Sequence, residues 1–132
     1  MTAHDPKLQR RIAVIVDAEN MPAERVRHAL QSAAAKGQIV ARTAVADWRK
    51  PARKNWDATA TDLGLKLVHS FPKNSGDSRS DLAIFAEALD AVHWLAANVI
   101  YLVSEDSDFD ILIRMLRARD VEVHRVTKDK IA

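Results

Sequence analysis

The sequence predicts an α/β fold: a three-layer sandwich in which a mainly parallel sheet of about five strands is covered by helices on both faces. Short β-branched runs alternate with segments of helical periodicity along the whole chain, which indicates parallel strands joined by right-handed crossovers. The two most apolar runs, residues 12–16 and 99–103, each stop where acidic residues begin. Strands that are apolar at every position are buried on both faces, so we expect these two to be neighbours at the centre of the sheet.

The first half of the chain contains two further helix and strand pairs. Pro22 suits the first turn of a helix over residues 22–36, and a second strand follows at 39–46. A second helix, opened by a proline, is expected over residues 51–63. Gly64 is its predicted left-handed cap.

The second half repeats this alternation. Residues 65–70 predict a more peripheral third strand, because its lysine needs a solvated position, and the polar stretch 71–80 predicts a loop. Asp81 then opens a third helix with an apolar stripe at helical spacing. That stripe consists of Leu82, Phe85, Ala86, Leu89, Val92 and His93. A helix at about 107–119 and a last strand at 121–126 complete the chain.

Composition indicates a single domain. The 132 residues are 48% apolar, enough for one core. We expect a mobile leader at 1–11, one domain over 12–127 and a C-terminal tail at 128–132. The absence of cysteine excludes disulfides and thiolate zinc sites. No apolar stretch has transmembrane length and the leader lacks the apolar centre of a signal peptide, so we expect a cytoplasmic protein without a membrane partner.

Acidic residues follow several of the predicted strands. The carboxyl ends of parallel strands meet at one edge, so Asp17, Asp47 and residues 105–108 should gather there. Asp81 could reach the same crevice through its helix or through the preceding loop. Carboxylates held together at neutral pH repel one another unless a cation neutralises them. Oxygen-only ligands favour magnesium or manganese, whereas the histidines are too scattered to favour zinc.

Helix capping is the alternative explanation for several of these acids. Ser107 to Asp110 match a capping box, which would make Asp108 and Asp110 structural, and for Asp110 we expect that role. Residues 78–81 match the same pattern, so Asp81 is equally well explained either way. The joint placement of Asp17 and Asp106 at one edge favours function for that pair.

Two motifs resemble those of the NYN domain family of PIN-like nucleases. They are Asp17-Ala18-Glu19-Asn20 after the first strand and Ser104-Glu105-Asp106-Ser107-Asp108-Phe109 after the fourth. Family members carry an Asp-x-x-Asn motif, an acid at the head of a middle helix and a Ser-Gly-Asp-Ser-Asp-Phe signature. The likeness spans roughly residues 11–127 by element order, and it implies a PIN-like, broadly Rossmann-like domain.

The resemblance also implies roles for individual residues. The catalytic acids would be Asp17, Asp81, Asp106 and Asp108, and the magnesium or manganese ligands among them Asp17, Asp106 and Asp108. Asn20 would orient the first loop and Ser104 would support the fourth. Glu105 stands where the family usually has glycine, so it either assists metal binding or blocks the approach of a phosphate backbone. The loop before Asp81 is serine-rich, and its Asp77 competes with Asp81 for the ligand role.

Basic residues with two nearby tryptophans form the candidate substrate surface. The predicted RNA-binding residues are Arg42, Arg49, Lys50, Arg53, Lys54, Lys73 and Arg79. If they flank the acidic crevice, they would hold a phosphate backbone while Trp48 and Trp56 stack on unpaired bases. The alternative is an ordinary solvated surface with both tryptophans packed inward.

The favoured function is a metal-dependent endoribonuclease that hydrolyses RNA phosphodiester bonds through a carboxylate-bound divalent ion. RNA and the ion are the expected partners, and a homodimer stays possible. The alternative is a non-catalytic RNA-binding or regulatory module with the same fold. A phosphatase using Asp17 as nucleophile is disfavoured, because Glu19 stands where such an enzyme would have a second aspartate.

Overall fold

The computed structural model describes residues 9–19, 21–50, 56–70 and 79–131, with only the backbone of Arg79. In these ranges strands and helices alternate throughout. The elements are β1 (Arg11–Asp17), α1 (Ala23–Lys36), β2 (Gln38–Ala46), α2 (Trp56–Leu63), β3 (Lys66–His69), α3 (Arg79–Trp94), β4 (Val99–Val103), a 3₁₀ turn (Ser107–Phe109), α4 (Asp110–Arg117) and β5 (Glu122–Val126). None of the described helices is long and apolar enough to cross a membrane.

The five strands form one parallel sheet in the order β3-β2-β1-β4-β5. The chain winds outward from β1 to β3 and then returns to the other side of β1, so the direction of winding reverses between β1 and β4. This confirms the predicted fold class and the predicted central pair of strands. The register places Val16 beside Val103, which brings the loops after these two strands together.

Alternating side chains of the sheet form two apolar layers. Val14 and Val16 of β1 pack with α1, whereas Ala13 and Ile15 belong to the layer that contains α3 and α4. Every residue of β4 is buried. Burial on both faces explains why these strands are apolar at every position rather than at alternate positions.

Glycines serve two different purposes at the ends of α1 and α2. Gly64 has a φ of 69° and ends α2 in the left-handed conformation, as predicted. Gly37 after α1 is extended, and a Cβ there would lie 2.7 Å from both the Cβ and the carbonyl oxygen of Arg10. Gly37 therefore permits a close approach of two segments. The predicted start of the second helix at Pro51 lies outside the described residues.

The buried face of α3 differs from the predicted stripe. The buried residues are Ile84, Ala88 and Ala91, whereas Leu82 is 65% and Leu89 is 44% exposed. The helix is apolar on more than one side, and its alanines allow it to approach the sheet closely. The predicted stripe is therefore wrong for Leu82 and Leu89, whereas Phe85 and Val92 are half-buried and pack against the core.

Candidate metal centre

The crevice beside β1 and β4 brings together acids from three elements. β1 ends at Asp17, and the loop after β4 carries Asp106. The Arg11 side chain, at the start of β1, donates to the carbonyl oxygen of Leu95 (2.9 Å), so α3 ends at the amino edge of the sheet and begins at the carboxyl edge. Asp81, in its first turn, reaches the crevice through the helix itself.

Three carboxylates converge closely enough to share one ion. Asp81, Asp106 and Asp108 each offer an oxygen atom, and these three atoms lie within 4.8 Å of one another. Among the described residues, the group of three does not include Asp17. Asp81 therefore takes the place that the sequence predicts for Asp17. Oxygen donors of this kind suit magnesium or manganese, and the donor set therefore fits the ion that the sequence predicts.

Ser104 connects Asp17 to this cluster. Its hydroxyl donates to Asp17 Oδ2 (3.1 Å) and accepts from the backbone amide of Asp106 (3.0 Å). Asp17 is 5% exposed and Ser104 1% exposed, so the contact between them is buried, whereas the contact with the Asp106 amide is partly buried. The hydroxyl thus links the carboxyl end of β1 to the loop that follows β4 and fixes the position of Asp17 relative to Asp106. Burial of Asp17 also argues against its use as an accessible nucleophile.

Asp106 caps the turn that carries Asp108. Its Oδ1 atom accepts from the backbone amide of Asp108 (2.9 Å), so the cap of the 3₁₀ turn is Asp106 and the predicted capping role of Ser107 is wrong. The contact fixes Asp108 relative to Asp106. Capping and closeness to the other acids are therefore properties of the same side chain.

The electrostatics of the crevice reflect concentrated negative charge. Burial raises the pKa of Asp17, with repulsion from Asp106 and Glu19 adding to it and the Ser104 hydrogen bond opposing it. Burial, followed by the charges of Asp106, Asp17 and Asp108, raises the pKa of Asp81 to about 6. A cation in the cluster would stabilise the ionised form of Asp81 and lower its pKa again.

Asp81→Asn should raise the melting temperature of the metal-free protein by about 2–4 °C at about pH 7.5. Between pH 3.8 and about 6 the folded protein keeps a proton on Asp81 that the unfolded chain has lost, so the raised pKa lowers the free energy of unfolding as pH rises. The destabilisation of the wild type by Asp81 is therefore absent below this pH range and complete above it. Thermal melts across pH in chelator measure the difference, which should vanish toward about pH 4. An Asp81→Asn protein that melts below wild type at neutral pH would contradict it.

Arg125 on β5 contacts the acidic loop, residues 104–110, and fixes its backbone. The sequence does not predict this role. It pairs with Asp110 (2.6 Å) and donates to the carbonyl oxygens of Asp106 and Ser104. The pairing agrees with the structural role expected for Asp110. A basic residue near the end of the last strand was the available signal, but its register beside β4 was not known.

Glu105 adopts an ordinary backbone conformation. Among the described residues, the non-glycine residues with positive φ are Ala96 and Asp120, so the turn at Glu105 does not require glycine. Its Oε2 atom accepts from the backbone amide of Lys128 (2.6 Å). The extra carboxylate thus contacts the segment that follows β5.

The described members of the predicted RNA-binding set do not form one surface. Arg49 pairs with Asp47 (2.9 Å) and lowers its pKa, and Lys50 pairs with Glu19 (3.7 Å). Arg42 lies farther back along β2, where it lines a groove with the end of α3, and the structure does not bring it to the acidic cluster. Arg53, Lys54, Lys73, Asn20 and Asp77 lie outside the described residues, as does the side chain of Arg79.

The two tryptophans pack inward. Trp56 is 7% exposed, and Trp48 is half-buried with its indole nitrogen donating to the carbonyl oxygen of Val68 (2.8 Å). The rings meet edge to face, with their centroids 5.9 Å apart. This arrangement corresponds to the packing alternative, so the base-stacking role suggested for them is wrong for Trp56.

Comparison with known proteins supports the family and the fold. A model of the NYN domain matches residues 11–132. No curated protein sequence matches the chain. Among solved structures, a protein of unknown function from Vibrio parahaemolyticus aligns with a TM-score of 0.71 at 18% identity, over 96% of this chain and 88% of that one. At that identity the likeness shows the fold alone.

Proposed function

Because this chain belongs to the NYN domain family, whose members are generally PIN-like nucleases, we propose that it is a metal-dependent endoribonuclease. The observation that carries the proposal is the convergence of Asp81, Asp106 and Asp108 within 4.8 Å, beside the buried carboxylate of Asp17. These residues come from three separate elements. Local helix capping accounts for one contact of Asp106, but it does not account for the closeness of Asp81 to the other two acids.

Each acid has a distinct part in the proposed site. Asp81, Asp106 and Asp108 would hold magnesium or manganese. A divalent ion there would supply Lewis acidity toward the phosphodiester and the attacking water. Asp17 orients the Ser104 hydroxyl, which in turn positions the Asp106 backbone.

A non-catalytic RNA-binding module is the second candidate. It is favoured by one observation, that Asp106 uses a side-chain oxygen to cap the 3₁₀ turn. In that case the acids would be needed for local structure, and RNA would bind in chelator and stay intact in every divalent metal.

Incubation of fluorescent single-stranded and structured RNA with the purified protein tests the proposal. We expect cleavage in manganese or magnesium and none in chelator, and titration calorimetry should detect manganese binding that Asp81→Asn weakens. Intact RNA under all metal conditions, together with no detectable manganese binding, would contradict the nuclease proposal. Intact RNA that nevertheless binds the protein would favour the second candidate.

A further inference from the structure

A basic groove along α1 continues from the acidic crevice. The crevice wall includes Asp17, Met21, Glu105, Asp106 and Lys128. The neighbouring groove, which we call the α1 groove, is lined by Glu24, Arg25, Arg27, His28, Gln31 and Lys128, among others. Lys128 lines both the crevice and the groove. An extended ligand that ran from the acidic residues into the α1 groove would therefore pass Lys128.

Lys128 is held in this position by the backbone around it. Its amide donates to Glu105 (2.6 Å), and the amide of Thr127 donates to the carbonyl oxygen of Lys130 (2.8 Å), which closes a turn after β5. Ile131 then pairs with Val126 as an isolated bridge. The turn is therefore attached both to the acidic loop and to the sheet, while the Lys128 side chain stays exposed.

Arg25 joins the same turn to α1. Its Nε donates to the carbonyl oxygen of Thr127 (2.9 Å), and its Nη1 lies 2.6 Å from His28 Nδ1. Its buried Nη2 atom has no hydrogen-bond partner among the described residues. Because this Nη2 atom is shielded from solvent, Arg25 contributes to the groove through its positive charge, which attracts an anionic ligand.

The α1 groove carries surplus positive charge. Among the described residues that line it there are three cations, Arg25, Arg27 and Lys128, and one carboxylate, Glu24. Arg27 pairs with Asp62 (2.7 Å), but both side chains are more than half exposed, so this pair is weak and exchangeable. A phosphodiester chain needs cations next to the acids, because the carboxylates alone would repel it.

We propose that the α1 groove binds the phosphate backbone of the RNA strand whose neighbouring phosphodiester lies at the acidic cluster, with Lys128 contacting a phosphate between the two. The identification of the ligand as RNA rests on the proposed function. Glu105 is then a positioning residue for the Lys128 turn. His28 and Gln31 offer further hydrogen bonds to phosphate or ribose oxygens.

Fluorescence anisotropy with a short single-stranded RNA in chelator tests this path without any cleavage. Lys128→Ala should weaken binding about tenfold and reduce the slope of log affinity against log salt by about 0.7, the value for one phosphate contact on a single strand. Arg25→Ala should weaken binding as well. Lys36→Ala is the matched control, because it removes one lysine from the far end of α1, about 16 Å from Arg25, and should leave affinity unchanged.

The outcomes separate this inference from the nuclease proposal. Wild-type affinity and salt slope in a folded Lys128→Ala protein would overturn the path even if the wild type cleaves RNA. No measurable RNA binding by the wild type would overturn it too. Loss of binding in Lys128→Ala and Arg25→Ala supports the path even if no metal induces cleavage. Circular dichroism melts of each variant show whether it is folded at the assay temperature.

Discussion

Asp106→Asn should reduce manganese-dependent RNA cleavage by about 10²-fold or more, because a bound metal supplies several kcal/mol of charge stabilisation in phosphoryl chemistry. Asparagine caps helical turns as well as aspartate does, so its side-chain oxygen can still accept from the amide of Asp108. The substitution thus removes charge from the cluster and keeps the turn. Single-turnover cleavage of labelled RNA, with manganese binding measured in parallel, gives the size of the effect.

Asp110→Asn is the matched control for this variant. Asp110 belongs to the same segment but pairs with Arg125, and its side chain is 59% exposed. Loss of such a pair costs less than about 1 kcal/mol, and cleavage should stay within about threefold of wild type. An Asp106→Asn protein that cleaves as fast as the Asp110→Asn protein would show that the activity comes from another site or from a contaminant.

Phe109→Ala should destabilise the protein by about 3–5 kcal/mol, the range for removing a fully buried phenylalanine. Phe109 is completely buried directly after Asp108, and its ring lies 6.0 Å from that of Phe85 on α3. It therefore packs the acidic loop against the helix that carries Asp81. We expect a melting temperature lower by about 10–20 °C and weaker manganese binding by the protein that is still folded.

Ile111→Ala provides the comparison for Phe109→Ala. Ile111 is two residues away and 65% exposed, so its truncation should change the unfolding free energy by no more than about 0.5 kcal/mol. Urea denaturation of both variants and of wild type measures the difference. Equal stability of the two variants would contradict the assigned role of Phe109 in joining α3 to the acidic loop.

The strands were the most predictable part of the fold. β1 and β4 are buried on both faces, and this burial makes their sequences apolar at every position, so their central location could be read directly. α3 is predicted as a helix, but Leu82 and Leu89 of its predicted apolar stripe are exposed. The fully buried residues are instead Ile84, Ala88 and Ala91, and the small alanine side chains suit a helix packed against the sheet. Periodicity alone does not distinguish between two apolar faces.

The site was predictable to the level of its motifs. The acids after β1 and β4 follow from strand direction, since parallel strands end at the same edge. The inclusion of Asp81 depends on how α3 crosses the sheet, and the position of Lys128 depends on a turn that folds back after β5. The resemblance names Asp81 as a catalytic acid, but no local pattern shows the path of α3 or the fold of residues 128–132, which the sequence predicts only as a tail.

The sequence by itself determined the α/β class, the central pair of strands and the family, because these depend on local hydrophobic pattern and on short motifs. Only the tertiary structure decided which acids converge and which cations lie beside them. The distance between Asp81 and Asp106, or between Lys128 and Arg25, results from the packing of elements far apart in the chain. Such distances are set by the shapes of buried surfaces, which single-residue patterns do not encode.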